Sequence, residues 1–467
     1  MIKIRKIFLR LVVILCFISL FISKSYSQEQ IYSLSLSDAI EYALKHNKKL
    51  LNAKDDVYKI KEQYKETRAQ GLPQIDGSIS YTTYFNYEMN IKFGQTSDNN
   101  QNNINYSLLD AGDQEVLKTI SSMFGSSKPI IMSDQFSGKV QLSQLIFSGQ
   151  YMVGLQIAKI VDKIANQNLV LNELDVKESV INSYYSILVT QQTLQIINEN
   201  INNLNELLKH KTNLYKAGAA EEIDVDQLTM TINQLKNNQN SLERAIEIGY
   251  NILKFQLGVP PDTKIELSDN INQIIDNIDY EILVNKDFQV SDNVNYQLMQ
   301  SQVNLKEKQL GLQNWSYAPT IAGFYSYTKK IKTTGFDMTP NHLAGLNVSI
   351  PIFSSGLRKA RVSQAKIDLD VSRRNIELVK EQLETQHKQL LFNYYNALEN
   401  FKTQQENIII AKKVLNNIEN KYRQGLISSL EFVQANSNYL NAQSNYINAT
   451  LTLLQAKTAL NKLYNKL

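Results

Sequence analysis

Residues 75–93 read Ile75-Asp76-Gly77-Ser78-Ile79-Ser80-Tyr81-Thr82-Thr83-Tyr84-Phe85-Asn86-Tyr87-Glu88-Met89-Asn90-Ile91-Lys92-Phe93. Ile75, Ile79, Tyr81, Phe85, Tyr87, Met89, Ile91 and Phe93 fall on one side of an extended chain. Asp76, Ser78, Ser80, Thr82, Asn86, Glu88, Asn90 and Lys92 fall on the other. Because strand side chains alternate with a period of two, the stretch predicts one strand that is apolar on one face and polar on the other. Three further stretches, 136–147, 320–331 and 342–353, extend the pattern; in the last, Leu346, Val348, Ile350 and Ile352 oppose Asn347 and Ser349. Alternation over ~10 residues fits a transmembrane β-barrel with lipid outside and water inside. Trp315, Tyr317, Tyr325 and Tyr327 are the expected membrane-interface aromatics. Four strands cannot close a barrel, since the smallest bacterial ones use about eight, so copies of the chain must share one by cyclic symmetry.

The rest of the chain reads as helix. Residues 155–217, 357–424 and 426–467 contain neither Gly nor Pro, the two residues that most strongly interrupt a helix. An unbroken helix of that length spans about 100 Å at ~1.5 Å per residue, more than a globular domain needs. Ile408, Ala411, Leu415, Ile418 and Tyr422 step by three and four, as do Ile197, Ile201, Leu204 and Leu208, which places each set on one helix face. Val433, Leu440, Ile447 and Leu454 recur every seven residues, and so do Ala435, Ala442, Ala449 and Ala456. That period favours close, left-handed supercoiled packing.

The pattern occurs twice. Leu145-Ile146-Phe147-Ser148-Gly149 corresponds to Pro351-Ile352-Phe353-Ser354-Ser355-Gly356, and Tyr215-Lys216-Ala217-Gly218 to Tyr422-Arg423-Gln424-Gly425. Gly149 to Gly218 and Gly356 to Gly425 are both 69 residues, and the offset of 207 carries Ile201 onto Ile408, Leu208 onto Leu415 and Tyr215 onto Tyr422. Two copies of one supersecondary unit are therefore expected, 34–258 and 288–467, joined through 262–287 after the helix-closing Gly258-Val259-Pro260-Pro261. The polar connections 94–133, an Asn-rich loop, and 332–341 lie at the strand ends away from the helices.

Composition narrows the function. Lys3, Arg5, Lys6 and Arg10, the apolar run 11–22 and the small-residue stretch Ser25-Tyr26-Ser27 form a secretory signal peptide, expected to be cleaved after Ser27. Cys16, the single cysteine, lies inside it behind Leu15, so it is not a lipid attachment point, and the mature chain is left without thiols or disulfides. Cleavage removes five basic and no acidic residues, changing 49 basic against 45 acidic to 44 against 45, or about −1. A net charge so close to zero gives no basic footprint for nucleic acid. After the signal peptide no apolar run reaches the ~18 residues of a spanning helix, so a membrane location requires a β-barrel.

The order and equal spacing of these features resemble the TolC family of outer-membrane factors over essentially the whole mature chain. The likeness rests on the duplicated unit, the strands ending in Phe147-Ser148-Gly149 and Phe353-Ser354-Ser355-Gly356, the Tyr-x-x-Gly turns, and Leu430-Glu431-Phe432-Val433-Gln434-Ala435. The resemblance implies a mainly α protein with a membrane β-barrel: a homotrimer with four strands per subunit in a shared 12-stranded barrel, continued by a long periplasmic α-helical barrel. It implies a passive exit duct, served by a periplasmic adaptor and an inner-membrane pump, either proton-driven or of the ABC type, with outer-membrane lipid around the barrel and no cofactor. The adaptor contact falls at the tip residues Ala217, Gly218 and Ala219, and Gln424, Gly425 and Leu426. The family's acidic constriction lies six residues beyond the second turn glycine, at Glu431, with Asp224 its repeat partner. Its second acid is Gln434 here, which weakens the ring's negative field.

Other readings stand beside these. Glu431 either lines a closed pore or is a solvated helix acid, and Asp224 either joins the gate or favourably meets a helix dipole. His46, His210, His342 and His387 have no metal-ligand spacing, and no nucleophile elbow or phosphate loop is present, so an enzyme is not expected. Tyr184, Tyr185, Tyr394 and Tyr395 read as packing residues. Among channels the alternative is type I protein secretion; outside them, a periplasmic structural coiled coil or adhesin, which leaves the duplication without a reason.

Overall fold

The computed structural model describes residues 32–85, 87–89, 109–124, 130–132, 134–276, 288–332 and 339–467. The signal peptide, most of the Asn-rich loop and 277–287 lie outside the described residues. In chain order the elements are β1 (Tyr32–Leu34), α1 (Leu36–His46), α2 (Lys48–Ala69), β2 (Gln74–Thr82), β3 (Tyr87–Met89), α3 (Ala111–Phe124), β4 (Ile130–Met132), β5 (Gln135–Ser148), α4 (Gly149–Lys216) and α5 (Glu222–Leu257). There follow β6 (Ile265–Leu267), α6 (Ile271–Asp276), α7 (Val294–Asn314), β7 (Thr320–Lys332), β8 (His342–Ser349), α8 (Leu357–Arg423) and α9 (Ser429–Leu463). Two compact units result. One holds residues up to 58 with 163–302 and 373–467, and the other 59–162 with 303–372.

The first unit is helical around a small parallel pair, β1 with β6. Its core joins Ala39 and Ala43 of α1 to Val180, Tyr184 and Ile187 of α4, Leu253 and Leu257 of α5, Tyr394 and Phe401 of α8, and Leu453 and Leu460 of α9. Ser35 caps α1, accepting from the Asp38 N–H at 3.2 Å while Asp38 accepts back from the Ser35 N–H at 3.3 Å. Tyr184, expected as packing, is fully buried and also donates its hydroxyl to Leu34 O and to Asp269, both at 2.9 Å. Asp269 in turn accepts from the Leu36 N–H at 2.7 Å, so one phenol ties α4 to the strand pair and to α1. Tyr184→Phe is expected to cost about 1–3 kcal/mol in a denaturant titration, because buried acceptors lose their donor; an unchanged midpoint would show the tie to be idle.

A second core in this unit brings the two helical stripes together. Ile197, Ile201, Leu204 and Leu207 of α4 pack with Leu228, Ile232 and Leu235 of α5 and with Tyr422 and Phe432, while Leu415 and Ile418 lie against them. Asn200 and Asn436, both buried, exchange amide hydrogen bonds of 3.0 and 3.2 Å between α4 and α9. A reciprocal amide pair of this kind favours one axial register, since a slip strands both polar groups.

The second unit is built on an antiparallel four-stranded sheet in the order β2-β5-β7-β8. The expected single strand 75–93 is broken. It pairs as β2 to Thr82, stops at Thr83–Phe85, and resumes as β3, which pairs with β4; residues 90–93 lie outside the described residues. The cause lies across the strand pair: Thr83 turns its hydroxyl to Asp134 at 2.7 Å and accepts the Phe85 N–H at 3.3 Å, and Phe85 takes a left-handed φ of 50°. Alternation alone carries no trace of that turn. The fourth strand ends at Ser349, short of the expected 353, where Pro351 has no N–H for a ladder. The Asn-rich connection also contains a helix, α3, started by Asp110, whose carboxylate accepts from the Gly112 and Asp113 N–H groups at 2.9 Å.

Candidate functional site

Two surfaces carry the residues singled out in the sequence, one in each unit. The first is at the turns of the helical unit. α4 ends with Gly218 at φ +72° and Ala219 N–H bonded to Leu214 O at 2.8 Å; α8 ends with Gly425 at φ +74° and Leu426 N–H bonded to Lys421 O at 3.0 Å. Both are the same left-handed helix closure, which glycine adopts without Cβ strain. Ala217, Gly218, Ala219, Gln424, Gly425 and Leu426 are all exposed.

Asp224, Glu431 and Gln434 are not equivalent in the structure. Asp224 of α5 accepts a hydrogen bond from the buried Ser429 of α9 and lies 3.7 Å from Lys211 Nζ of α4. That ammonium sits 4.2 Å from the centroid of the Tyr422 ring, and Tyr422 stacks on Phe432 with centroids 4.9 Å apart and planes 10° from parallel. One cluster therefore joins α4, α5, α8 and α9 at the turns. Burial, with the Asp224 carboxylate second, pushes the Tyr422 phenol above its ordinary range, and its hydroxyl has no hydrogen-bond partner. Glu431 instead is exposed: its N–H donates to Ser428 at 3.3 Å, which makes it a first-turn acid of α9. Gln434, one turn on and also exposed, donates to Asn438 at 3.0 Å. Along the chain Tyr422 reads only as a stripe and turn residue and Phe432 only as part of the acidic stretch, while Lys211 and Ser429 carry no signal. Their partnership crosses helices, and no spacing along the chain encodes it.

The second surface is the sheet. Residues directly opposite in antiparallel strands share a face. The register aligns Ile75 with Leu142, Tyr325 and Ala344, and Val140 with Tyr327 and His342; Leu346 stands opposite Gly323. Ile79 and Val348 belong to the same face, while Asp76, Ser78, Ser80, Lys139, Gln141, Ser326 and Asn347 belong to the other. The apolar face is bare: Ile75, Ile79 and Leu346 are 74%, 80% and 71% exposed. Among the described residues both outer strands, β2 and β8, leave an edge unpaired. Trp315 and Tyr317 form a short 3₁₀ turn just before β7, and Tyr325 and Tyr327 lie on the apolar face further along it. A Cβ on Gly149 would run into the Trp315 ring, so glycine at the start of α4 is what lets the indole seat there.

Among the described residues no helix is long and apolar enough to cross a membrane, and no group of three or more His, Cys, Asp or Glu residues could hold a metal ion. The sequence profile of the outer membrane efflux protein family matches residues 121–259 and 294–466. The chain belongs to that family. This efflux protein is accordingly an outer-membrane channel protein and not an enzyme. No curated protein sequence matches it significantly. Solved structures match its fold throughout: CusC at TM-score 0.72 and 14% identity, covering 94% of this chain and 95% of that one; and the Campylobacter jejuni CmeC outer membrane channel at 0.68 and 16%, covering 95% and 90%. The open state of the Neisseria gonorrhoeae MtrE outer membrane channel matches at 0.67 and 15%, covering 95% and 93%. The fold of the efflux protein is thus that of the TolC type, mainly α with a β-sheet, as the sequence led one to expect.

Proposed function

We propose that the efflux protein is the channel subunit of a tripartite efflux system, a passive exit duct for small molecules coupled to an inner-membrane pump through a periplasmic adaptor. The observation that supports it best is the sheet. An open sheet with one bare apolar face and two unpaired edges is an aggregation hazard in water. The same sheet is complete when β2 of one copy pairs with β8 of the next and lipid covers the apolar side. A homotrimer of four-stranded sheets would supply twelve strands, above the about eight of the smallest bacterial barrels. Channels with the same fold, among them one whose structures concern transmembrane channel formation, support this reading.

In this reading 1–27 is removed on export, 34–258 and 288–467 are the two copies of the repeat and 262–287 joins them. Trp315, Tyr317, Tyr325 and Tyr327 supply the aromatic girdle at the membrane surface. The exposed turns Ala217–Ala219 and Gln424–Leu426 meet the adaptor. Glu431 and Gln434, three residues apart on one exposed helix face, form the constriction, while Asp224 holds the two hairpins together behind it.

The test is direct. Protein expressed in a Gram-negative host should fractionate with outer membranes, show a trimer mass and conduct ions in planar bilayers; a soluble, non-conducting monomer would refute the channel. Crosslinking from cysteines placed at 218 or 425 should recover an adaptor and its pump, and recovery of an ABC exporter together with an exported protein would turn the assignment to secretion.

A further inference from the structure

The apolar face of the sheet changes character at its loop end, and beyond the interface tyrosines the channel reading assigns no role to the charged groups that lie there. Tyr327 is opposite His342, Lys329 opposite Gly138, and Lys332 opposite Phe136, which puts two lysines and a histidine on the apolar face, with Ile79 and Val140 level with them and Ile75, Leu142 and Leu346 lower down. The Tyr325 hydroxyl and His342 Nδ1 are 2.8 Å apart, and the Tyr327 ring lies 4.8 Å from the His342 ring, so two tyrosines hold the imidazole in place. Lys332 pairs with Asp134 at 2.9 Å, and Asp134 also accepts from Tyr81 at 3.0 Å and Thr83 at 2.7 Å. Those hydrogen bonds, Thr83 first, hold the Asp134 carboxyl down at about 2, so it stays ionised and occupied with Lys332 at any growth pH. Lys329 is exposed and has no carboxylate partner among the described residues. Lys330, by contrast, falls on the opposite, polar face and donates to Thr339 O.

We propose that this corner binds a phosphate-bearing lipid of the outer leaflet, with the phosphate on Lys329 and His342 and the acyl chains along the exposed Leu142, Leu346 and Ile75 below them. The shape of the surface selects the occupant. A soluble anion would gain the cations but leave the apolar band uncovered, and a neutral lipid would cover the band but leave Lys329 without a counter-charge. An amphiphile with an anionic head satisfies both, and lysine acts on phosphate as a mobile point charge at the end of an apolar stem. Tyr325 and Tyr327 offer hydroxyls at the level where a headgroup meets the chains. The proposal rests on the channel reading in one respect, that this face meets lipid.

Native mass spectrometry of the detergent-purified full chain decides it, with bisphosphorylated lipid A and the same lipid stripped of its phosphates as probes. Wild type should retain the phosphorylated form several-fold better. The double variant Lys329→Gln, His342→Gln should lose that preference and Lys330→Gln should keep it. Equal retention of the two lipids by wild type, or an unchanged preference in the double variant, overturns the site. So does displacement of the lipid by millimolar inorganic phosphate, which would mark a free-ion site. The same samples are scored for trimer mass and conductance. If both hold while the preference is absent, the lipid site alone is lost; if both fail, the channel reading falls and takes this proposal with it.

Discussion

Gly258→Ala is expected to destabilise the helical unit by about 2–5 kcal/mol, far more than the same change at either of the other helix-closing glycines. All three adopt a left-handed backbone, at φ +72°, +74° and +77° for Gly218, Gly425 and Gly258. An alanine there pays conformational strain of order 1 kcal/mol in each case. Their surroundings differ. A Cβ at Gly218 or Gly425 would enter open space, whereas at Gly258 it would collide with the backbone carbonyl of His46, where α1 meets α2. That junction cannot move aside, because Asn47 is anchored to Gln256 O at 2.6 Å and accepts the Leu50 N–H at 3.1 Å. Guanidinium unfolding followed by circular dichroism should show a large midpoint shift for Gly258→Ala and small ones for Gly218→Ala and Gly425→Ala. Three equal shifts would mean that the close approach between α5 and the α1–α2 junction does not persist in solution.

The second large effect is at the turns. Tyr422→Ala removes a ring that is 1% exposed and leaves Phe432 without its stacking partner and Lys211 without the π-face beneath it. Losing a buried aromatic costs about 3–5 kcal/mol, drawn here from the cluster that joins the four helices at the turns. In bilayers the variant should show more frequent or longer openings, and in hydrogen exchange faster opening of residues on both hairpins. Tyr422→Phe should behave differently. The hydroxyl it deletes is buried without a partner, so the change is expected to be neutral or to stabilise by about 1 kcal/mol, with gating unaltered. If phenylalanine opened the channel as alanine does, the hydroxyl would have a role in solution that this packing does not account for.

Repetition in the sequence proves a poor guide to repetition of role. The offset of 207 carries Asp224 onto Glu431, yet Asp224 is drawn between Ser429 and Lys211 while Glu431 stands in solvent. The two acids occupy the same place in their helices, and what separates them is the neighbour across the bundle.

The long helices were legible from the chain alone, since 155–217 and 357–424, nearly the whole of α4 and α8, hold neither Gly nor Pro and need no tertiary help to be recognised as helix. Their closures at Gly218 and Gly425 were equally plain, because only glycine closes a helix left-handed without strain. The apolar face of the sheet was legible too, since a two-residue period states which side chains share a side, though not where the first strand breaks or the fourth ends. What only the tertiary structure decided was every relation between segments far apart: the break at Thr83, caused by Asp134; the crowding at Gly258, caused by His46; and the tie from Lys211 through Asp224 to Ser429. Local propensity is a property of neighbours along the chain. Contact between residues separated by fifty or two hundred positions depends on how the helices and strands are registered, and that register is written nowhere in a single window of sequence.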